Sequence, residues 1–452
     1  MKVTIIGCGY VGLTTGVTLA YLGHQVMGAE KDLNKLEMLL QGQSPIHEQG
    51  LAELLKLAGA RIQFTADIAA AAANAEIIII AVGTPPKQNG EADLQYVETA
   101  AAQVALGLMS DQTCTIVVKS TVPIGANNRV ASVVKRVLSS RNIDAKVHFA
   151  SNPEFLQEGK ALGDAFYPDR IIIGADNEIA IEYLRRLYRP ILEQTFTPPP
   201  CCPRPQNYVL PPLVTTNTCS SEMIKYAANA FLAMKISYIN EVAVLCEKVG
   251  ADVNEVARGI GLDPRIGPRF LQAGIGWGGS CFPKDTSALI ALGKEYNYAM
   301  PIIEAVRTIN IRQRRLIIEK LQSFLKVLRG RTVGILGLTF KPGTDDLRES
   351  PAIEIINILL EGGAHIRAHD PIALPNAQKE IVSPEVELID DPYILAENCD
   401  ALVLLTEWDI YDRFDFKKLA SKMRSPYLLD GRNFLNREEL TQAGFIYEGV
   451  GR

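Results

Sequence analysis

The sequence predicts an α/β protein: a doubly wound domain, a helical spine and a second doubly wound domain. Three observations predict it. Short β-branched runs alternate with helical stretches through the first 180 or so residues. An unbroken helical segment then covers about residues 220–249. A second strand–helix alternation starts near residue 331 and runs to the carboxyl end. Such alternation means parallel sheets with helices on both faces.

Taken in order, "KVTIIG" reads as a strand, and "GCGYVG" (Gly7 to Gly12) follows it as G-x-G-x-x-G. "LTTGVTLAYLG" is helical and stops at Gly23, and "HQVMGAE" is a second strand ending at Glu30. Strands recur at "AEIIIIAV", "TCTIVVKS", "KVHFASNP" and "DRIIIGA". Residues 195–214, "TFTPPPCCPRPQNYVLPPLV", hold seven prolines. No regular helix or central strand runs through such a segment, so it is expected as a surface excursion with Cys201 and Cys202 solvated. "SSEMIKYAANAFLAMKISYINEVAVLCEKVG" is apolar on most faces and is expected to be buried, against a second subunit, with Gly250 as its stop. Further helices reach about residue 328. The second alternation uses "RTVGILGLTF", "HIRAHDP", "CDALVLLTEW" and "PYLLDGRN". It lacks G-x-G-x-x-G, so a dinucleotide is not its obvious ligand. The expected boundaries are 1–214, 215–328 and 329–452.

Composition narrows the function. The net charge is -5 with no long basic run, which argues against nucleic acid. No apolar run reaches membrane-spanning length, and the glycines of "MKVTIIGCGYVG" do not fit a signal peptide; a cytoplasmic protein off the membrane is expected. The eight cysteines form no C-x-x-C pair and there are only five histidines, so no metal site is expected.

The glycine motif follows a strand, opens a helix and precedes an acid 18 residues after Gly12. Glycines let the backbone approach a pyrophosphate at a helix amino terminus, and Glu30 would accept the ribose hydroxyls. The alternative is a tight strand–helix turn with no ligand. A carboxylate there favours NAD over NADP, although Lys31 is adjacent. Lys225 and Asn229 are four apart and share one helix face; they are either a site or a pair satisfied by packing. In "SNPEFLQEG", Glu154 and Glu158 lie beyond a strand end, where doubly wound sheets bind ligands. The same residues also read as a helix start, with Asn152 as cap and Pro153 as first residue. Thr121 in "KSTVPIG" fits a ligand contact or a cap.

"GWGGSCFPKD" places Cys281 behind three glycines with Lys284 and Asp285 beside it. Positive charge and helix amino termini activate thiolates. Glycines are expected to give this stretch a flexible backbone with free amides. A nicotinamide cofactor plus a cysteine suggests oxidation of an aldehyde through a thioester; an inert buried thiol is the alternative.

"GCGYVG", "VGTPP", "KSTVPIG", "SNPEFLQEG", "YPDRIIIG", "SEMIKYAANAFLAMKISYINE", "GIGWGGSCFPKD", "LTFKPGTDDLRES", "TEWD" and "LDGRN" together resemble the nucleotide-sugar dehydrogenases of the UDP-glucose/GDP-mannose type. The resemblance covers nearly the whole chain. It implies two Rossmann-like doubly wound domains joined by a long central helix within a helical dimerisation domain, hence a homodimer or higher homo-oligomer. It implies NAD as cofactor and UDP-glucose as substrate, with GDP-mannose or a UDP-N-acetylhexosamine as the alternative. By resemblance Cys281 is the nucleophile, Lys225 and Asn229 steady the oxyanion, and Asp285 holds Lys225 or a water that Thr121 helps position. Glu154 is the base for hydrolysis. The implied cofactor contacts are Gly7, Gly9, Tyr10, Val11, Gly12, Glu30, Lys35, Thr84, Thr121, Glu158, Lys284 and Arg348. The implied substrate contacts are Glu154, Phe155, Leu156, Lys225, Asn229, Arg265, Phe270, Gly276, Phe340, Lys341 and Arg432, with Arg265 reaching in from a partner subunit. Two features depart from the family pattern: "EKD" supplies Glu30 where aspartate is usual, and the proline-rich excursion is long.

Overall fold

The computed structural model describes residues 1–452. It divides into two compact units, Met1–Ala227 and Ala228–Arg452. Each is organised around one sheet.

The first sheet contains β1 (Lys2–Ile6), β2 (Gln25–Ala29), β3 (Ile62–Thr65), β4 (Ile77–Ile80), β5 (Thr113–Val118), β6 (Lys146–Ser151), β7 (Ile171–Ala175) and β8 (Leu213–Thr216), in the order β3-β2-β1-β4-β5-β6-β7-β8. Strand order reverses between β1 and β4, which pair in parallel with Val3 opposite Ile77. A ligand crevice opens at such a switch point, beyond the carboxyl ends of the strands. Consecutive side chains alternate between faces. Ile77 and Ile79 enter one core with Val3 and Ile5, while Ile78 and Ile80 enter the other with Ile6. An all-apolar strand is therefore what this position requires.

The second sheet contains β9 (Thr332–Leu336), β10 (His365–His369), β11 (Val386–Leu388), β12 (Ala401–Leu404), β13 (Tyr427–Asp430) and β14 (Ile446–Glu448), in the order β11-β10-β9-β12-β13-β14. All its pairings are parallel, and its switch point lies between β9 and β12.

Three expectations need correction. The first sheet is not wholly parallel, because β7 runs antiparallel to β6. The connection between them, residues 152–170, holds only a short helix (Ala161–Phe166) rather than a full crossover. A chain that does not cross back over the sheet re-enters from the same end. Second, no helix starts at Asn152; residues 152–157 are irregular. Third, Cys202 is buried rather than solvated, and its carbonyl accepts the Tyr167 hydroxyl at 3.0 Å. Cys201 is half-buried. The excursion folds onto an aromatic cluster of Phe166, Tyr167, Phe196 and Tyr208, and its last prolines deliver the chain to edge strand β8. The spine helix is Thr218–Val249, and along it Phe231, Tyr238 and Leu245, seven apart, are each more than half exposed in the single chain. Gly250 ends the helix with φ of 74°.

Candidate active site

The turn after β1 is shaped by its glycines. Gly7 has φ of 90°, and its N–H bonds Ala29 O at 2.8 Å. A Cβ at position 12 would overlap the Gly7 carbonyl, whereas one at Gly9 would meet nothing within 4 Å. The helix Tyr10–Tyr21 starts with no side-chain cap, so its first amides have neither an intrahelical partner nor a capping side chain. Glu30 stands just past β2. One carboxylate oxygen accepts Cys8 N–H at 2.9 Å and the other Asp32 N–H at 2.9 Å. Asp32 caps the next helix (Leu33–Leu40), which carries half-buried Lys35. Thr84 is buried past β4, and its hydroxyl bonds the Thr121 carbonyl at 2.8 Å. The Thr121 backbone thus joins the strand-end loops, and the next helix is entered through Gly125 rather than capped by Thr121.

Sequence patterns gave no sign of Glu48. It is buried and accepts the N–H groups of Gly159 at 2.7 Å and Ala161 at 2.8 Å, and the Tyr10 hydroxyl. Tyr10 thereby ties the glycine turn to the loop that holds Glu154 and Glu158; Gly159 N–H also reaches the Tyr10 oxygen at 2.7 Å.

Past β6, Glu154 is buried. Its Oε1 accepts Lys225 Nζ at 2.8 Å, and Leu156 N–H bonds Oε2 at 2.6 Å. Burial pushes this carboxyl up. The Lys225 charge and hydrogen bond, the Leu156 amide and the Lys119 charge together outweigh it and hold the carboxyl below its ordinary range. Phe155 has two cations near its ring, with Arg170 3.9 Å and Lys225 5.3 Å from the centroid.

In the second unit, Cys281 is exposed and is the residue from which the helix Phe282–Glu295 begins. A helix amino terminus favours thiolate. Asp285 is fully buried in the first turn of that helix. Its Oδ2 accepts Asn229 Nδ2 at 2.6 Å, and its Oδ1 accepts Lys284 Nζ at 2.6 Å. The glycines ahead of Cys281 do not give a flexible backbone, contrary to expectation. Gly276, Gly278 and Gly279 are buried. A Cβ on Gly279 would come within 2.7 Å of the Phe340 ring, and one on Gly278 would overlap Glu349 O. Trp277 pins the stretch through its N–H to Asn310 Oδ1 at 2.8 Å and its indole N–H to Ser237 Oγ at 3.0 Å.

Arg432 gathers three carbonyls: Leu405 O at 2.8 Å, Gly276 O at 3.3 Å and Phe340 O at 3.1 Å. Lys341 Nζ lies 5.5 Å from the Phe340 ring centroid. Gly276, Phe340, Lys341 and Arg432 are thus brought together beside the Cys281 loop. Arg265 and Arg348 are exposed side chains held on Asp263 and Asp346, each at 2.6 Å. Phe270 is half-buried with φ of 65°.

Family models match three segments in succession: the NAD binding domain of the UDP-glucose/GDP-mannose dehydrogenase family over residues 1–192, its central domain over 219–312 and its UDP binding domain over 334–437. The chain belongs to this family. It is 43% identical, over all of its length and 93% of the relative's, to UDP-glucose 6-dehydrogenase TuaD of Bacillus subtilis. It is 44% identical to the UDP-glucose 6-dehydrogenase of Pseudomonas aeruginosa, covering all of this chain and 98% of that one. Among solved structures it resembles a UDP-glucose dehydrogenase from Pyrobaculum islandicum, with a TM-score of 0.87, 38% identity and coverage of 100% and 97%.

The NAD binding domain of the family thus falls on the first sheet, and the residues present fit the cofactor. The uncapped amides of the Tyr10–Tyr21 helix can take a pyrophosphate, the space over Gly9 is clear, and Glu30 retains lone pairs for ribose hydroxyls. The UDP binding domain falls on the second sheet, with Phe340, Lys341 and Arg432. No group of three or more His, Cys, Asp or Glu is placed to hold a metal ion, and no helix is long and apolar enough to cross a membrane.

Proposed function

We propose that the chain oxidises UDP-glucose to UDP-glucuronate, using two NAD per sugar. One observation carries this reading: Cys281 lies exposed at a helix amino terminus whose first turn holds a buried Asp285 bonded by Asn229 and Lys284. The full-length relatives named UDP-glucose 6-dehydrogenase support the choice of sugar over GDP-mannose or a UDP-N-acetylhexosamine.

Gly7, Gly9, Tyr10, Val11, Gly12, Glu30, Lys35, Thr84, Thr121 and Glu158 hold the cofactor, with Lys284 and Arg348. Bound NAD supplies a hydride acceptor for each oxidation. The primary alcohol of the sugar gives up its proton through water to the Asp285 carboxylate as it becomes an aldehyde, with the Lys225 ammonium holding that water and its developing negative charge. Cys281 Sγ then adds to the aldehyde carbon, forming a C–S bond and a tetrahedral thiohemiacetal. Lys225 and Asn229 donate to its oxygen, which contributes a few kcal/mol of barrier lowering, roughly the worth of one or two preorganised donors. Loss of the second hydride leaves a thioester. Glu154 removes a proton from water, water adds to the thioester carbon, and the C–S bond breaks to release the carboxylate and the thiol. Phe155, Leu156, Phe270, Gly276, Phe340, Lys341 and Arg432 hold the nucleotide sugar.

The segment 215–328 serves as a dimerisation domain in a cytoplasmic homodimer. The exposed Phe231, Tyr238 and Leu245 stripe supports this, and Arg265 extends to the partner's substrate.

The test is an NADH assay on a panel of nucleotide sugars with wild type and two variants. UDP-glucose is the expected substrate, giving two NADH per sugar and no free aldehyde. Cys281→Ala binds UDP-glucose yet forms almost no acid. Glu154→Gln accumulates a sugar thioester, seen as added mass on Cys281. Acid formation by Cys281→Ala at near wild-type rate, or an adduct on Cys246, overturns the reading.

A further inference from the structure

Lys119 follows β5 directly and is only 7% exposed. Its ammonium makes one hydrogen bond, 3.0 Å to Asn152 Oδ1, a neutral acceptor. The same oxygen accepts the Tyr188 hydroxyl at 2.6 Å, and Asn152 Nδ2 donates to Ile172 O at 2.8 Å. Asn152 N–H bonds Val118 O at 3.0 Å. Asn152 is therefore a hub joining β5, β7 and the helix Glu178–Glu193, and Glu154 lies two residues beyond it. Removing an ammonium from water costs several kcal/mol unless an anion offsets it. Bonding to an amide alone leaves that cost largely standing, which points to a use for the charge.

The charged groups facing Lys119 are Glu154, from the loop after β6, and Lys225, from the spine helix; Tyr188, from the helix Glu178–Glu193, is kept neutral by burial. Two ammonium groups thus stand against one carboxylate. Burial lowers Lys119 to about 8, with Lys225 acting in the same direction and Glu154 opposing, so Lys119 is charged at neutral pH.

We propose that Lys119 is a positioning residue for thioester hydrolysis: it fixes the Asn152–Glu154 turn and keeps the Glu154 carboxylate ionised and ready to take a proton from water. This rests on Glu154 being the base, as proposed above. The effect is confined to the last step. The hydride transfers occur before Glu154 is needed, so a defect at Lys119 leaves them intact and stalls the enzyme at the thioester.

The experiment follows NADH in pre-steady state, intact-protein mass and the pH dependence of turnover for Lys119→Met, Lys119→Arg and Glu154→Gln. Lys119→Met is expected to release a burst of two NADH per site, then turn over about tenfold more slowly, a tenth of what loss of a general base itself can cost, with the thioester visible on Cys281. Its acidic limb moves to higher pH, because a cation that favoured ionised Glu154 is gone. Lys119→Arg keeps the wild-type limb, which a purely structural role does not predict. If Lys119→Met does not fold, Lys119→Gln reads the same limb. A Met or Gln variant with wild-type turnover and an unmoved limb overturns the proposal. Glu154→Gln separates the two claims. If it hydrolyses the thioester normally, the base lies elsewhere and both fall. If it stalls while Lys119→Met does not, only the role of Lys119 falls.

Discussion

The strands β1 and β9 hand the chain on in the same way. Gly7 follows the first with φ of 90°, and Gly337 the second with φ of 92°. Each donates its N–H at 2.8 Å to the last carbonyl of the next strand, Ala29 or His369. Each is followed by a residue whose N–H bonds, at 2.9 Å, an acid just past that strand: Cys8 to Glu30, Leu338 to Asp370. The turns then part. After Gly7 a helix starts at Tyr10 with its amides uncapped. After Gly337, residues 338–350 intervene before the helix Pro351–Glu361. Glu30 is half-buried and accepts two backbone amides. Asp370 is 1% exposed and also takes Thr339, Ile372 and Ala373 amides and the Trp408 indole N–H. One frame leaves its acid partly exposed beside an uncapped helix end, while the other spends its acid on shaping a loop, and the loop carries Phe340 and Lys341. A doubly wound sheet is thus indifferent to its ligand until the turn after its first strand is specified.

The comparison breaks most directly at Gly12. A side chain there meets the Gly7 carbonyl, so Gly12→Val must open the first turn. NADH affinity by fluorescence titration is expected to fall at least about 100-fold, roughly 2.8 kcal/mol, while UDP binding by calorimetry is retained. Retained NADH binding would remove the cradle from this turn. Arg432→Ala tests the second frame. Its guanidinium organises the Gly276, Leu405 and Phe340 carbonyls. Loss of such charge-assisted bonds is expected to weaken UDP binding about tenfold to 100-fold with NADH binding unchanged; a loss shared by both ligands would show that the division is false. Glu30→Gln sharpens the contrast between the acids. The wild type is expected to prefer NAD to NADP at least about tenfold in kcat/KM, roughly 1.4 kcal/mol, and the variant to approach parity because the like-charge repulsion of the 2′-phosphate is gone. An unchanged ratio would assign the preference to another group.

Much of this was readable in advance because it is local. The glycine turn, the isoleucine run of β4, Gly250 as a helix stop and the Cys281 loop each announce themselves within a dozen residues. What escaped depends on distant partners. Glu48 has no motif; its meaning lies in amides more than a hundred residues away. Lys119 reads as an ordinary polar residue closing a strand, and only Asn152, Tyr188 and Glu154 around it make it unusual. Asn152-Pro153 carries the signature of a helix start, yet the amide of Asn152 is drawn into bonds with Lys119, Tyr188 and Ile172 instead. Apolar patterning reports burial and not direction, so the reversal of β7 left no trace in it. The burial of Cys202 is not legible in its proline-rich setting, because proline content constrains backbone shape and says little about what lies beneath.

The close packing of Gly278 and Gly279 has a consequence for how this chain can change over generations. Their neighbours are the Glu349 carbonyl and the Phe340 ring, both in the segment that follows β9. A mutation that reshapes that segment also shifts the wall against which the backbone leading to Cys281 rests. Under the proposed function, ligand preference and nucleophile placement are inherited together. Drift at position 340 or 349 is thus constrained by packing against glycines more than sixty positions earlier in the chain.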